Sequence, residues 1–241
     1  SEANPLLLEQ AAFEAYFLSL GQVAKELGLL IGQVHSPFPT YLADGQDDTR
    51  LLLQQRAVRA TALLGCKYMV MHPAKPAYRL YDQGRQACKA LNMQRYSSLI
   101  PELEKYDVQI AVENMFAFDK AKGCYCPTVC STAEEMLDYI HSLNALSPRF
   151  VACLDVGHAL ITGDTPQHMA LQLGPRPARA AHSGQRRPGR LARHPPPGLH
   201  RLAGLPPGPA SDPLPGHLLP GGGLLPHQAW GRQCRRGLGG A

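Results

Sequence analysis

The chain has 241 residues, of which 44% are hydrophobic, enough for a large core and close to the ~250 residues of one eight-stranded (β/α) barrel. It contains no run of ~20 apolar residues, which excludes a membrane-spanning helix. The net charge of +5 averages two unlike parts: residues 1–174 carry 14 Lys+Arg against 18 Asp+Glu, whereas residues 175–241 carry 10 Arg against Asp212 alone. Seven scattered cysteines, an odd number, read as reduced thiols rather than a disulfide framework. The polar start Ser1-Glu2-Ala3-Asn4-Pro5 lacks the basic region of a signal peptide. A cytoplasmic protein is expected, with its true start upstream because no initiator Met is present.

In chain order, Leu6 to Leu27 has helical apolar spacing and stops at Gly28. Leu29 to His35 reads as a short buried strand. Thr49 to Leu64 is a second helix, closed by Gly65, and Tyr68 to His72 a second strand. Gln83 to Tyr106 is helical with a break near Pro101, and Val108 to Glu113 is a third strand. Ser131-Thr132-Ala133-Glu134 has the look of a capping box opening a helix to Leu143. Phe150 to Asp155 is a fourth strand, and Thr165 to Leu173 a last helix before Gly174. Alternating strands and helices, with continuously apolar strands, imply an α/β fold in which helices cover a parallel sheet. No glycine-rich phosphate fingerprint follows any strand, which favours a barrel over a doubly wound sheet.

The segment from Pro175 onward is of another kind. It holds 13 of the 22 prolines and 13 of the 23 glycines and lacks Ile, Val, Met, Phe, Tyr, Lys, Glu, Asn and Thr entirely. Such a Pro/Gly/Arg-rich composition predicts a disordered tail that builds neither strands nor core. Its alphabet is that of a GC-rich reading frame displaced by one base near Arg176. Shifted back, Pro177 to Gly189 is compatible with an apolar strand ending in His and acids, and Asp212 to Gly223 with another ending in Glu. Residues 175–241 are therefore read as out-of-frame translation, and Trp230 and the tail histidines as accidents of that frame. A genuine tail would be a candidate nucleic-acid binder, but its arginines alternate with Pro and Gly around one aromatic, which gives no stacking platform.

Each expected strand ends in a residue able to hold a metal: His35, His72, Glu113 and Asp155, at intervals of 37, 41 and 42 residues. In a parallel barrel all strand C-termini open on one face, so these four converge on one cavity. Cys124, Cys126 and Cys130 form a C-x-C-x₃-C cluster after Glu113, but the spacing fits no common zinc pattern and no fourth ligand is placed beside it. Loop thiols are the better reading there.

The strings Val34-His35-Ser36-Pro37-Phe38-Pro39, Met71-His72-Pro73, Ala111-Val112-Glu113-Asn114-Met115 and Cys153-Leu154-Asp155-Val156-Gly157-His158-Ala159 resemble the xylose-isomerase-like TIM barrel superfamily, in its sugar phosphate isomerase/epimerase branch. The resemblance covers residues ~20–174. It implies a partial (β/α)₈ TIM barrel over residues 1–174, about strands two to five. It also implies a divalent-metal enzyme acting on a sugar or sugar phosphate by proton transfer next to a carbonyl. Glu113 would be metal ligand and catalytic base, Asp155 a second ligand, and His158, His72 and His35 substrate contacts. The cation would be Mn, Mg or Co. The competing reading for Asp155 is a cap on the next helix, and for Glu113 a salt-bridged strand end. Lacking the remaining strands and their ligands, the chain alone is expected to be unstable and inactive.

A related reading is an endonuclease IV-like, zinc-dependent phosphodiesterase acting on abasic DNA, whose strand-end histidines bind zinc. The net acidity of residues 1–174 argues against gripping phosphates, so no nucleic-acid partner and no membrane are expected unless that alternative holds.

Overall fold

A computed structural model of the protein describes residues 4–75, 81, 83–174 and 178–181. After a 3₁₀ turn at Pro5–Leu7 come α1 (Gln10–Glu26), β1 (Val34–His35), α2 (Asp47–Leu63), β2 (Tyr68–Met71), α3 (Arg85–Ser97) and α4 (Ile100–Tyr106). Then follow β3 (Gln109–Glu113), β4 (Phe116–Asp119), β5 (Cys124–Pro127), α5 (Ala133–Asn144), β6 (Phe150–Asp155), α6 (Val156–Ile161), α7 (Pro166–Leu173) and β7 (Ala178–Ala181). Five strands form one all-parallel sheet in the order β1-β2-β3-β6-β7, and β4 and β5 pair as a separate antiparallel hairpin. No helix among the described residues is long and apolar enough to cross a membrane.

Three helices end by the same local device. Gly28, Gly65 and Asp107 adopt positive φ of 67°, 70° and 51°. The next amide then reaches back five residues: Leu29 N to Ala24 O at 2.8 Å, Cys66 N to Thr61 O and Val108 N to Leu103 O at 3.0 Å each. This satisfies carbonyls the helix leaves open and turns the chain toward the following segment. The break expected near Pro101 falls at Leu99, with Pro101 in the first turn of α4, where a missing N–H costs nothing. On α5 the capping residue is Thr132, which accepts from the Glu135 amide.

The two faces of the sheet carry different loads. Met69, Met71, Ile110, Val112, Phe150, Ala152 and Leu154 point into the main core with Tyr96, Leu103, Tyr139 and Leu143 of the helices. Fully burying each such large side chain stabilises the fold by ~1.5–3 kcal/mol. Val70, Ala111, Val151 and Cys153 form a smaller cluster on the other face. By the strand period of two, Glu113 and Asp155 lie on this second face, one step past Ala111 and Cys153. His35, paired in register with Val70, ends β1.

Three local expectations are corrected. Only Val34 and His35 of the 29–35 run pair as strand, and Leu30 is 91% exposed. Among the described residues β1 has a single strand neighbour. The β4–β5 hairpin was read as loop. Asp119 Oδ1 accepts from Ala121 N at 2.9 Å and Lys122 N at 3.3 Å, and Gly123 takes positive φ, which closes the turn. The short helix α6 follows β6 directly and is the helix that the capping reading of Asp155 requires. Finally, Ala178–Ala181, counted with a strandless tail, pairs in parallel with β6. Backbone pairing needs only N–H and C=O groups, which an Ala-Arg-Ala-Ala segment supplies as well as any. The rest of the 175–241 segment lies outside the described residues. Cys66, Cys88 and Cys130 are buried thiols, whereas Cys124, expected as a loop thiol, is disulfide-bonded.

Candidate active site

The strand register and the common face bring all five expected site residues together. Glu113 ends β3 and is 4% exposed, in the middle of the group. On one side, His72 Nε2 lies 2.9 Å and His35 Nε2 3.4 Å from Glu113 Oε2, with the two ring nitrogens 3.2 Å apart. On the other, His158 Nδ1 is 3.4 Å from Glu113 Oε1, and His158 Nε2 is 4.0 Å from Asp155 Oδ2. Glu113 thus belongs to two ligand-competent groups, His35–His72–Glu113 and Glu113–Asp155–His158, each with its donor atoms within 4.8 Å of one another.

Local structure fixes these side chains. Asp155 is fully buried at the end of β6, and its Oδ1 accepts from the His158 amide at 2.8 Å, capping α6. Both readings of Asp155 therefore meet in one residue: one oxygen caps, and the other is left over. Asn114, whose part the sequence did not disclose, clamps β3 to β6, with its Nδ2 donating to Asp155 O at 3.0 Å and its Oδ1 accepting from Asp155 N at 2.6 Å. The strand end before His72 is held by Tyr96 Oη, which donates to Met71 O at 3.2 Å, and by Thr40 Oγ1, which donates to His72 O at 2.6 Å.

The tautomers follow from backbone neighbours. His35 Nδ1 lies 2.8 Å from Ser36 O, and His158 Nδ1 lies 2.8 Å from Asn114 O. A carbonyl only accepts, so in each ring Nδ1 carries hydrogen and the neutral form leaves the Nε2 lone pair toward the site. This is the orientation usual for metal-binding histidines.

The site fits a cation. Glu113 Oε2 and Asp155 Oδ2 are buried without a hydrogen-bond partner among the described residues, because the nearby imidazole nitrogens do not meet Glu113 Oε2 with hydrogen-bond geometry. Unpaired buried carboxylate oxygens are costly unless something positive sits between them. The His35–His72–Glu113 edges of 3.2, 2.9 and 3.4 Å compare with ~3.3–3.4 Å between ligands of a tetrahedral ion bound at ~2.0–2.1 Å. Without a cation, protons take its part. Burial pushes the Glu113 carboxyl up, but the close His35 and His72 rings and the His72 and His158 charges outweigh it and hold the group at about 2. Reciprocally, the Glu113 contact raises His35, against its own burial.

Side chains not foreseen from sequence complete the rim. Phe38 packs its ring 5.2 Å from the His72 ring and 5.8 Å from that of His35, and Phe116, at the start of the hairpin, lies 4.6 Å edge-on to His158. Lys75 Nζ donates to Phe116 O at 2.8 Å. Among the described residues no cysteine joins a ligand group.

The solved structures similar to this fold include a D-tagatose 3-epimerase-like protein (20% identity, 70% of this chain and 61% of that one, TM-score 0.54). A D-psicose 3-epimerase solved in the presence of D-fructose also matches (15%, 74% and 62%, 0.54), as does the 3-keto-D-glucoside 4-epimerase YcjR from E. coli (17%, 66% and 62%, 0.51). At these identities the likeness establishes the fold, and the chain spans about three fifths of the length of each. No curated protein sequence matches significantly. The family model described as xylose isomerase-like TIM barrel matches residues 5–230, and the chain belongs to that family.

Proposed function

We propose that this chain carries part of the active site of a divalent-metal-dependent sugar isomerase or epimerase that moves a proton next to a carbonyl. The observation that carries the reading is the shared position of Glu113, a buried carboxylate held ionised between two sets of donor atoms, one of which includes Asp155. That the neighbouring structures are an epimerase-like protein and two sugar epimerases supports the substrate class.

In this reading Glu113 and Asp155 hold the cation, with Mn, Mg or Co suited to oxygen donors. When bound, the cation supplies positive charge to a carbonyl oxygen as the adjacent carbon loses its proton. Glu113 takes that proton. Its low pKa keeps it ionised at working pH, as a base requires, at some cost in proton affinity. His158, with its ring fixed by Asn114 O, and His72 and His35 contact the substrate hydroxyls. Phe38 and Phe116 shield the reacting carbon from water.

The His35–His72–Glu113 triangle favours a second reading, a zinc-dependent phosphodiesterase of the endonuclease IV type, in which both histidines are ligands. Because the chain alone is expected to turn over poorly, the deciding test is binding. Metal-loaded protein is titrated with D-fructose and, separately, with an oligonucleotide carrying an abasic-site analogue, and bound metal is counted. Metal-dependent fructose binding with one exchangeable Mn or Mg supports the first reading. Oligonucleotide binding with two or three zincs, and no response to fructose, would replace it with the second.

A further inference from the structure

We infer that Lys75 is a specificity-determining residue that reads an anionic group on the substrate, so that the sugar is a phosphate ester or a sugar acid rather than a neutral ketose. The inference rests on the sugar reading above and deepens it.

Lys75 lies three residues past His72, on the loop leaving β2 at the same end of the sheet as the candidate site. Its ammonium sits 5.2 Å over the Phe116 ring and donates to Phe116 O at 2.8 Å. That same ring touches His158, whose Nδ1 is 3.4 Å from Glu113. Lys75, Phe116, His158 and Glu113 therefore form a continuous line from the rim to the centre. The carbonyl takes one of the three ammonium protons. Among the described residues no carboxylate stands within ion-pair distance of Lys75, in contrast to Lys67 and Lys89, which pair with Asp107 and Asp138.

The side chain as a whole is exposed, yet packing at its tip partly strips water from the ammonium. Burial accordingly lowers its pKa, against the pull of the Glu113 charge. A cation that is partly desolvated, tethered at one proton and lacking a counter-ion is prepared for an anion. Charge balance points the same way. A divalent cation would cancel the charges of Glu113 and Asp155 and, among the described residues, leave Lys75 at the rim without a balancing anion. An anion joined to a chelated sugar would supply the balance, while the hydroxyls of a neutral sugar would leave it unmet.

The test compares D-fructose, D-fructose 6-phosphate and D-gluconate by calorimetric titration of metal-loaded wild type, Lys75→Gln and Lys75→Arg, with inorganic phosphate titrated into the metal-free proteins. A charged hydrogen bond predicts a preference of ~10- to 100-fold for one anionic ligand over fructose in the wild type. Lys75→Gln loses that preference, leaves fructose binding intact and weakens phosphate binding, and Lys75→Arg restores most of it. Preference for the phosphate ester or for gluconate tells which anion is read. If Lys75→Gln weakens fructose and its phosphate equally, Lys75 only holds the hairpin and the inference falls. If no sugar binds any of the proteins, the sugar reading fails by itself. The phosphate titration then decides Lys75 alone, and equal affinity in wild type and Lys75→Gln overturns it.

Discussion

Glu113→Gln in the metal-free protein isolates the electrostatics of the site. The Glu113 carboxyl is 4% exposed and held at about 2 against an ordinary 4.5, the nearby imidazoles overcoming the upward push of burial. At ~1.4 kcal/mol per pKa unit, the ionised form is worth ~3 kcal/mol to the fold. A group whose folded pKa is depressed adds stability above its unfolded value and loses it as pH falls through the folded one, here between 4.5 and about 2. His35 acts in the opposite sense. Its pKa is raised from 6.5, chiefly by the close Glu113 carboxylate, so its contribution is complete below 6.5 and fades as pH rises through the folded value. The two windows overlap between pH 4.5 and 6.5. Urea unfolding with a chelator present, at pH 3, 5.5 and 8.5, should show the largest cost of the substitution, ~3 kcal/mol, at pH 5.5. It should shrink at pH 3, where the carboxylate protonates in the unfolded chain, and again toward pH 8.5, as His35 loses its proton. An equal cost at all three pH values, or the largest at 8.5, would refute the pairing of Glu113 with protonated His35.

Asn114→Ala removes both hydrogen bonds between Asn114 and the Asp155 backbone, and at ~0.5–1.5 kcal/mol each should cost ~1–3 kcal/mol and weaken metal affinity, measured by urea unfolding and calorimetry. Tyr96→Phe deletes only the buried hydroxyl that donates to Met71 O and should cost ~1 kcal/mol. Zinc or manganese at 100 times its Kd should stabilise the wild type by ~2.7 kcal/mol, seen as a higher Tm, and should do so far less in Glu113→Ala or Asp155→Ala. Leu30→Ser, at a side chain 91% exposed, should change stability by no more than ~0.5 kcal/mol.

The sequence disclosed what depends on local pattern. The apolar runs ending at Glu113 and Asp155 gave strands whose bounds agree with the structure to within a residue, because a buried parallel strand needs apolar side chains on both faces. The stops at Gly28 and Gly65 were legible because positive φ favours glycine, whereas Asp107 takes the same conformation without that signal. The convergence of His35, His72, Glu113 and Asp155 also followed from strand-end spacing, and His158 from the family resemblance. What stayed hidden depends on tertiary neighbours. Asn114 looks like any polar residue after a strand until β6 is placed beside β3. Lys75 and Phe116 are 41 residues apart, and only the hairpin joins them. The exposure of Leu29 and Leu30 runs against their hydropathy because burial depends on what stands opposite.

The most direct measurement is anomalous diffraction from crystals of the protein soaked in manganese or zinc. The account predicts a cation within ~2.0–2.3 Å of carboxylate oxygens of both Glu113 and Asp155. A cation bound elsewhere, with those two carboxylates empty at saturating metal, would contradict it.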